Sequence, residues 1–332
     1  MKGESTMENL SQFVLDYVKK EGAVRASIAT IETLAGGPPS TDLTYVLPEA
    51  RSAISFALPL DQDLIEPFLS KRDRRSHERN NLETNALSSG ISLHLAKYLE
   101  QKGIPSAPLC ANEVYRRDTD YGMFEMKPDI SLRYLAVASG IGHFGLSGNV
   151  IVQDYGAAII LGGVVTTAEL EPTPSLPPED NYCDSCRLCM ASCASGMMSP
   201  DEKTTVAMGG VEFIYSKRRS YLRCEYVCGG FTGLHPSGRW STWSPGRFVI
   251  PDDENEFRDL LIESITAYEK WPETKGGHYH LLMGRPLYLT CGNCSLICHP
   301  DKEIRTKRYR MLTESGVVVQ RPDGLLEVLP PG

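Results

Sequence analysis

The chain has 332 residues, a formal charge of −8, 41% hydrophobic and 23% charged residues. This is the composition of a globular protein large enough for one or two cores. The acidic balance argues against a nucleic-acid partner, because phosphate binding draws on a basic face. It leaves room only for a local patch at Lys217, Arg218, Arg219 and Arg223. No apolar run is long enough to span a membrane. The N-terminus carries neither an apolar export segment nor a twin arginine, so the expected location is the cytoplasm. Ten cysteines in such a chain read as metal ligands before disulfides.

The apolar positions Leu10, Phe13, Val14 and Val18 follow the helical period, so residues 7–20 are predicted as a helix that Glu21-Gly22 ends. Residues 23–34 and 52–58 read as strands, the second halted by Pro59. The charged run 61–81 is expected to lie on the surface, its pairs Lys71-Arg72 and Arg74-Arg75 on a solvated face. Residues 83–102 form a helix with a stripe of Leu87, Ile91, Leu95 and Leu99, stopped by Gly103. Residues 131–139 read as a helix and 157–166 as a buried strand interrupted by Gly162 and Gly163. The proline-rich stretch 171–180 marks a boundary. The fold class is α/β (α+β), with domains over 1–175, 176–304 and a tail over 305–332 that packs back on the core.

Cysteines carry the chemistry. Cys183-x2-Cys186-x2-Cys189-x3-Cys193 has the spacing of a bacterial ferredoxin run. Thiolates recurring about every three residues let a tight loop wrap successive corners of an iron–sulfur cube, while the fourth points to a second cube. Cys291-x2-Cys294-x3-Cys298 complements it. One [4Fe–4S] cluster takes Cys183, Cys186, Cys189 and Cys298. The other takes Cys193, Cys291, Cys294 and one of Cys224 or Cys228. A four-cysteine zinc site shows two C-x2-C pairs instead, and a haem-attachment C-x2-C-H is absent. Departures are visible: Ala194 follows Cys193 where ferredoxin runs place proline, and Pro300 comes one residue late after Cys298. Cys110 reads as a buried thiol.

Several segments together resemble the epoxyqueuosine reductases and reductive dehalogenases: LPEARSAISFALPL (47–60), LAKYLEQKGIPSAPLCANEVYR (95–116) and RYLAVASGIGHFGLSGNVIVQDYGAAIILGGVVTTAEL (133–170), followed by the cysteine runs in order. Arg223-Cys224 is similar to the family's Arg-Cys step, which prefers Cys224 as the last ligand. The resemblance implies a nitroreductase-like domain binding cobalamin, then a ferredoxin-like domain with two [4Fe–4S] clusters that pass electrons to cobalt. It implies that Arg133, Gly140, Gly142, His143, Gly145, Gly148, Asn149, Gly162 and Gly163 line the corrin, the glycines admitting a flat ring. By residue type alone the glycines equally make a tight turn, and His143 a hydrogen-bonding residue within it.

The family's proton-donating aspartate, seven residues before the arginine matched by Arg133, is replaced by Met126. Glu125 and Asp129 are the neighbouring carboxylates that could substitute. The dehalogenase donor is a tyrosine, and Tyr115 and Tyr121 fit by position. The Trp240–Trp243 segment, within 235–248, reads as a cover for the substrate or as a surface loop anchored by aromatics. The expected activity is a two-electron reduction of a small molecule, fed by an external low-potential donor such as a ferredoxin or flavodoxin. Two alternatives remain: an electron-transfer protein that reduces a partner's corrinoid, and a tRNA epoxyqueuosine reductase proper.

Overall fold

The computed structural model describes residues 4–111, 114–280 and 284–331. In chain order the elements are α1 (Glu4–Lys20), β1 (Arg25–Thr30), β2 (Ser52–Pro59), α2 (Ile65–Leu69), α3 (Arg75–Gln101), β3 (Ser106–Leu109), α4 (Leu132–Ala138), β4 (His143–Phe144), β5 (Val150–Ile151) and β6 (Ile159–Thr166). There follow α5 (Leu188–Ala191), β7 (Met198–Met208), β8 (Val211–Arg218), α6 (Tyr221–Cys228), α7 (Glu254–Tyr268), β9 (His278–His280) and β10 (Arg285–Leu287). The chain closes with α8 (Asn293–Ile297), α9 (Lys302–Thr313), β11 (Val317–Gln320) and β12 (Leu326–Leu329). The fold is mixed α/β, as expected. Among the described residues no helix is long and apolar enough to cross a membrane.

Two compact units emerge. The first comprises residues 1–60, 80–186 and 203–216, the second 61–79, 187–202 and 217–332. The first is built on an antiparallel sheet of order β1-β2-β6-β3. Strand β2 is buried on both faces, with its serines Ser52 and Ser55 enclosed among apolar residues. Ile54, Phe56 and Leu58 meet Val14, Val18, Ile91, Leu95 and Leu99 on the α1 and α3 side. Ala53 and Ala57 face α4 on the other, with Leu135, Val137 and Phe144. Ser131 caps α4 by accepting from Tyr134 N.

Leu87 departs from the expected stripe: it is exposed, whereas Ile91, Leu95 and Leu99 are buried. Four residues advance a helix by more than one turn, so each step of four drifts about 40° around the axis. A run of such steps leaves the core-facing side.

The second unit is organised by aromatic stacking. Phe231 lies between Tyr226 and Tyr268, with ring centroids at 4.3 and 4.1 Å. Asp253 caps α7 and Asp301 caps α9, each accepting two backbone amides. The expected surface character of 61–81 is corrected here. Of each basic pair one member is exposed and the other, Lys71 or Arg74, is buried, with His77 and Glu78. Arg74 pairs with Glu78 one turn on and stacks on the Tyr288 ring. Lys71, in left-handed backbone (φ 56), donates to Ser315 Oγ. In the 235–248 segment residues 236–239 are exposed, and the loop is anchored by its aromatics. Trp240 and Trp243 are buried, Trp240 stacks on His235, and Trp243 Nε1 donates to the Phe68 carbonyl at 3.1 Å.

Candidate iron–sulfur site and glycine hairpin

None of the ten cysteines is in a disulfide bond. In the first unit Cys183 and Cys186 lie on a loop whose amides are held by neighbouring side chains. Cys183 N donates to Asn181 Oδ1 at 3.0 Å, and Cys186 N to Asp184 Oδ1 at 3.2 Å. Ser185 and Arg187, on either side of Cys186, are both left-handed (φ 57 and 61). Non-glycine residues in that region cost about 1–2 kcal/mol each. Strain of this kind is concentrated at functional sites.

Glycines of the 133–170 signature build a hairpin. Strands β4 and β5 pair His143 with Ile151 and Phe144 with Val150. The tip closes through Gly145 N to Asn149 O (3.0 Å) and Gly148 N to Gly145 O (2.8 Å). Arg133 Nη1 donates to Gly148 O, and Asn149 N to Ser147 Oγ. At that tip Leu146 N points at Cys183 Sγ, 3.3 Å away. The signature and the first cysteine are therefore joined by one hydrogen bond.

The close neighbours of the signature glycines are protein atoms. A Cβ on Gly140 would lie 2.4 Å from Pro174 O, and on Gly142 2.3 Å from Ile151 O. At Gly145 it would press on the Ile151 side chain at 3.1 Å. On Gly162 it would meet the Phe56 ring at 2.3 Å and Ser88 Oγ at 2.4 Å, and on Gly163 Ile54 O at 2.8 Å. Packing within the unit thus already demands these glycines. His143 Nε2 is the buried polar atom of the segment without a partner, and burial lowers the ring's pKa.

The proton-donor candidates differ in electrostatics. Glu125 is ion-paired with Lys127, which holds its carboxyl below the usual range. Asp129 is half-buried and burial raises its pKa, while its carboxyl accepts from Ile130 N at 2.7 Å. Tyr121 is 76% exposed. Tyr115 forms an isolated bridge with Pro128, which closes the loop immediately before Asp129. Arg116, missed in the sequence, locks that loop: its amide donates to Lys127 O and its Nη1 to Pro39 O and Asp129 O, and it stacks on Tyr45.

In the second unit α5, carrying Cys189, packs on α8, which carries Cys294, and on α9. Met197 N donates to Cys193 Sγ at 3.4 Å, a second backbone amide aimed at a cysteine sulfur. Cys224 and Cys228 stand one turn apart on α6. Their mutual interaction lowers the Cys224 pKa and raises that of Cys228. Cys291 is raised chiefly by burial and then by the charges of Cys224 and Cys294, which places these cysteines in one neighbourhood. Both contenders for the last ligand position thus lie near Cys291.

Helix α6 is tied to both runs. Arg223 Nη1 reaches Ser195 O beyond Cys193, and Thr290 Oγ1, beside Cys291, donates to Cys228 O at 3.1 Å. Among the described residues no three candidate ligands converge closely enough for a single ion. A cubane asks for something different, since each of its irons takes its own thiolate. Thiols spaced as C-x2-C, with backbone amides directed at the Cys183 and Cys193 sulfurs, fit that donor set. Cys110, expected to be buried, is partly accessible.

No family model matches the chain. It is 27% identical over 161 residues to the epoxyqueuosine reductase of Gloeobacter violaceus, covering 48% of this chain and 45% of the relative. The chain thus matches less than half the length of that curated relative. Among solved structures, the epoxyqueuosine reductase from Bacillus subtilis aligns over 69% of this chain and 59% of its own, at 17% identity and TM-score 0.42. A reductive dehalogenase structure concerned with B12-dependent dehalogenation aligns over 75% of this chain and 33% of its own, at 14% identity and TM-score 0.44. The relatives carry the two family names that the sequence motifs resemble.

Proposed function

We propose that the chain is an oxidoreductase that holds two [4Fe–4S] clusters and cobalamin and reduces a small molecule, drawing electrons from an external low-potential donor. The observation that carries this reading is the bond from Leu146 N, at the tip of the glycine hairpin, to Cys183 Sγ, the first thiol of the ferredoxin-spaced run. It brings the segment that resembles a corrin-binding signature against a cluster ligand. Cys183, Cys186, Cys189 and Cys298 would hold one cluster. Cys193, Cys224, Cys291 and Cys294 would hold the other, with Cys228 as neighbouring thiol.

Cobalamin, when bound, supplies a low-valent cobalt able to drive two-electron cleavage of a carbon–oxygen or carbon–halogen bond. His143, whose Nε2 lacks a partner, and Arg133 are the side chains of the hairpin region suited to approach it. Asp129 is the residue suited to hold a proton for the substrate, since burial keeps its carboxyl more basic than that of a solvated aspartate. Glu125, committed to Lys127, is not.

The test is metal analysis of anaerobically reconstituted protein. About eight irons and one cobalt per chain are expected, as two cubanes and one corrinoid require. Iron without cobalt, with no cobalt signal in electron paramagnetic resonance after cobalamin is offered, would leave the electron-carrier reading. Neither metal would end both. Rescue of a queuosine-deficient strain would identify tRNA as the substrate instead of a small molecule.

A further inference from the structure

Helix α9 begins three residues after Cys298, at its Asp301 cap, and carries two buried guanidinium groups on its inner face. Arg305 is 5% exposed and Arg308 is 3% exposed. Arg308 Nη1 donates to Leu296 O at 3.1 Å, and Arg305 Nη1 to His299 O at 3.3 Å. The two arginines therefore grip the backbone on both sides of Cys298.

Among the described residues no carboxylate is in hydrogen-bond contact with Arg308. Its other bond is from Nη2 to the amide oxygen of Gln62 at 3.0 Å, and its Nε lacks a partner. Glu66, the carboxylate acting on it from α2, is itself paired with Lys307 at 2.7 Å. An arginine does not shed its proton, and a buried charge facing neutral acceptors carries a desolvation cost of several kcal/mol. A group of opposite charge beside it removes much of that cost. The thiol of Cys298 acts on Arg308 in that sense. A cubane bound through thiolates is anionic, and its potential responds to charge nearby.

We infer that Arg308, seconded by Arg305, is the buried counter-charge that raises the reduction potential of the cluster liganded by Cys298. This rests on the cluster reading above. It is a positioning role, exerted through the field at the cluster. In the step concerned the oxidised cluster gains one electron from a one-electron donor. No bond forms or breaks, no proton moves, and the cluster becomes more negative by one charge. A fixed cation at Arg308 favours that product.

The experiment is a redox titration of the anaerobically reconstituted full chain, followed by electron paramagnetic resonance, with iron counted in every sample. In Arg308→Met one of the two cluster midpoints should fall and the other stay. At the wild-type midpoint the reduced-to-oxidised ratio should drop about tenfold, which is about 59 mV for a one-electron couple. Arg308→Lys, which keeps the charge, should restore the ratio to within about threefold, or about 28 mV. Should Arg308→Met lose its iron, Arg305→Gln takes its place, with a smaller fall of the same midpoint expected. Full iron content with both midpoints unchanged in the charge-removing variant would overturn the inference and leave the clusters standing. A lysine variant that shifts as far as the methionine variant would overturn it too, because geometry and not charge would then be at work. Wild-type chain that takes up no cubane iron would sink the cluster reading itself.

Discussion

Replacing Arg223 by alanine should be among the most damaging single changes in the second unit. The side chain is 1% exposed and uses both terminal nitrogens twice. Nη1 donates to Ser195 O (3.2 Å) and Pro251 O (2.9 Å), and Nη2 to Asp252 O (2.8 Å) and Asp253 O (3.3 Å). Nε pairs with Glu254 at 2.7 Å, and the guanidinium lies 4.7 Å from the Phe257 ring centre. Glu254 is 44% exposed, so solvent screens that pair and it contributes under about 1 kcal/mol. The four carbonyls matter more. Alanine leaves them without their donor, and water can replace only part of the loss. The expected cost is about 3–5 kcal/mol, the range for breaking a buried charged network. Urea unfolding followed by tryptophan fluorescence, at matched iron content, would measure it. Glu254→Gln is the internal control and should cost under about 1 kcal/mol. An Arg223→Ala cost below about 1.5 kcal/mol, or a Glu254→Gln cost equal to it, would refute the assignment of the energy to the carbonyls.

Three further outcomes follow from individual residues. Burial lowers the pKa of Lys71 from 10.5 to about 7, so between those values the unfolded chain holds a proton that the folded chain lacks. Stability should rise as pH climbs from about 7 to about 10.5, and Lys71→Met should remove that slope and raise stability at pH 7 by a few kcal/mol, read from urea midpoints across the range. Gly162→Ala should destabilise the chain by about 2–3 kcal/mol with or without cobalamin, since the new methyl meets Phe56 and Ser88; a loss seen only with cobalamin bound would contradict the packing argument. In a reconstituted reductase assay Asp129→Asn should lower turnover by about 10²–10⁴-fold, the usual share of a general acid, and Glu125→Gln only a few-fold. Equal losses in both variants would remove Asp129 as donor.

The strands and the long helix were legible because they follow simple periods. Val164 opposite Ile54, and Leu95 over the sheet, are positions an apolar pattern announces. The cysteine runs stand out in the sequence because their spacing is that of a bacterial ferredoxin run. What the sequence hid is the fate of its long basic side chains. Lys71 and Arg72 are neighbours of similar type, yet one is buried on Ser315 and the other is exposed. Arg305 and Arg308 sit in a run with Lys302, Lys307 and Arg310 that reads as a solvated basic helix. A long stem can lie along the surface or carry its charge inward, and only the partners in space decide which. The tryptophans of 235–248 were ambiguous for a related reason: proline, glycine and serine around them describe a loop, and a loop can still be core.

The glycine signature shows how one pattern can answer two demands. Read alone, glycines in 140–163 make space for a flat ring. In the structure, five of them sit where a methyl group would strike protein: the carbonyls of Pro174, Ile151 and Ile54, the Ile151 side chain, and the Phe56 ring with Ser88. Their presence therefore carries less information about a ligand than the motif alone implies. What the tight packing achieves is the closeness of β4 to β5, and with it the placement of the Leu146 amide against Cys183 Sγ. An amide donated to a cluster sulfur favours the reduced, more negative state. On the proposed cluster assignment the hairpin would act on the cluster whether or not a corrin lies beside it, and iron retention alone cannot distinguish the two cases. His143 does. Its Nε2 gains nothing from the hairpin's own packing. If cobalamin supplies the partner, His143→Phe should weaken cobalamin uptake while leaving the iron count intact; equal uptake by both proteins would remove His143 from the corrin site.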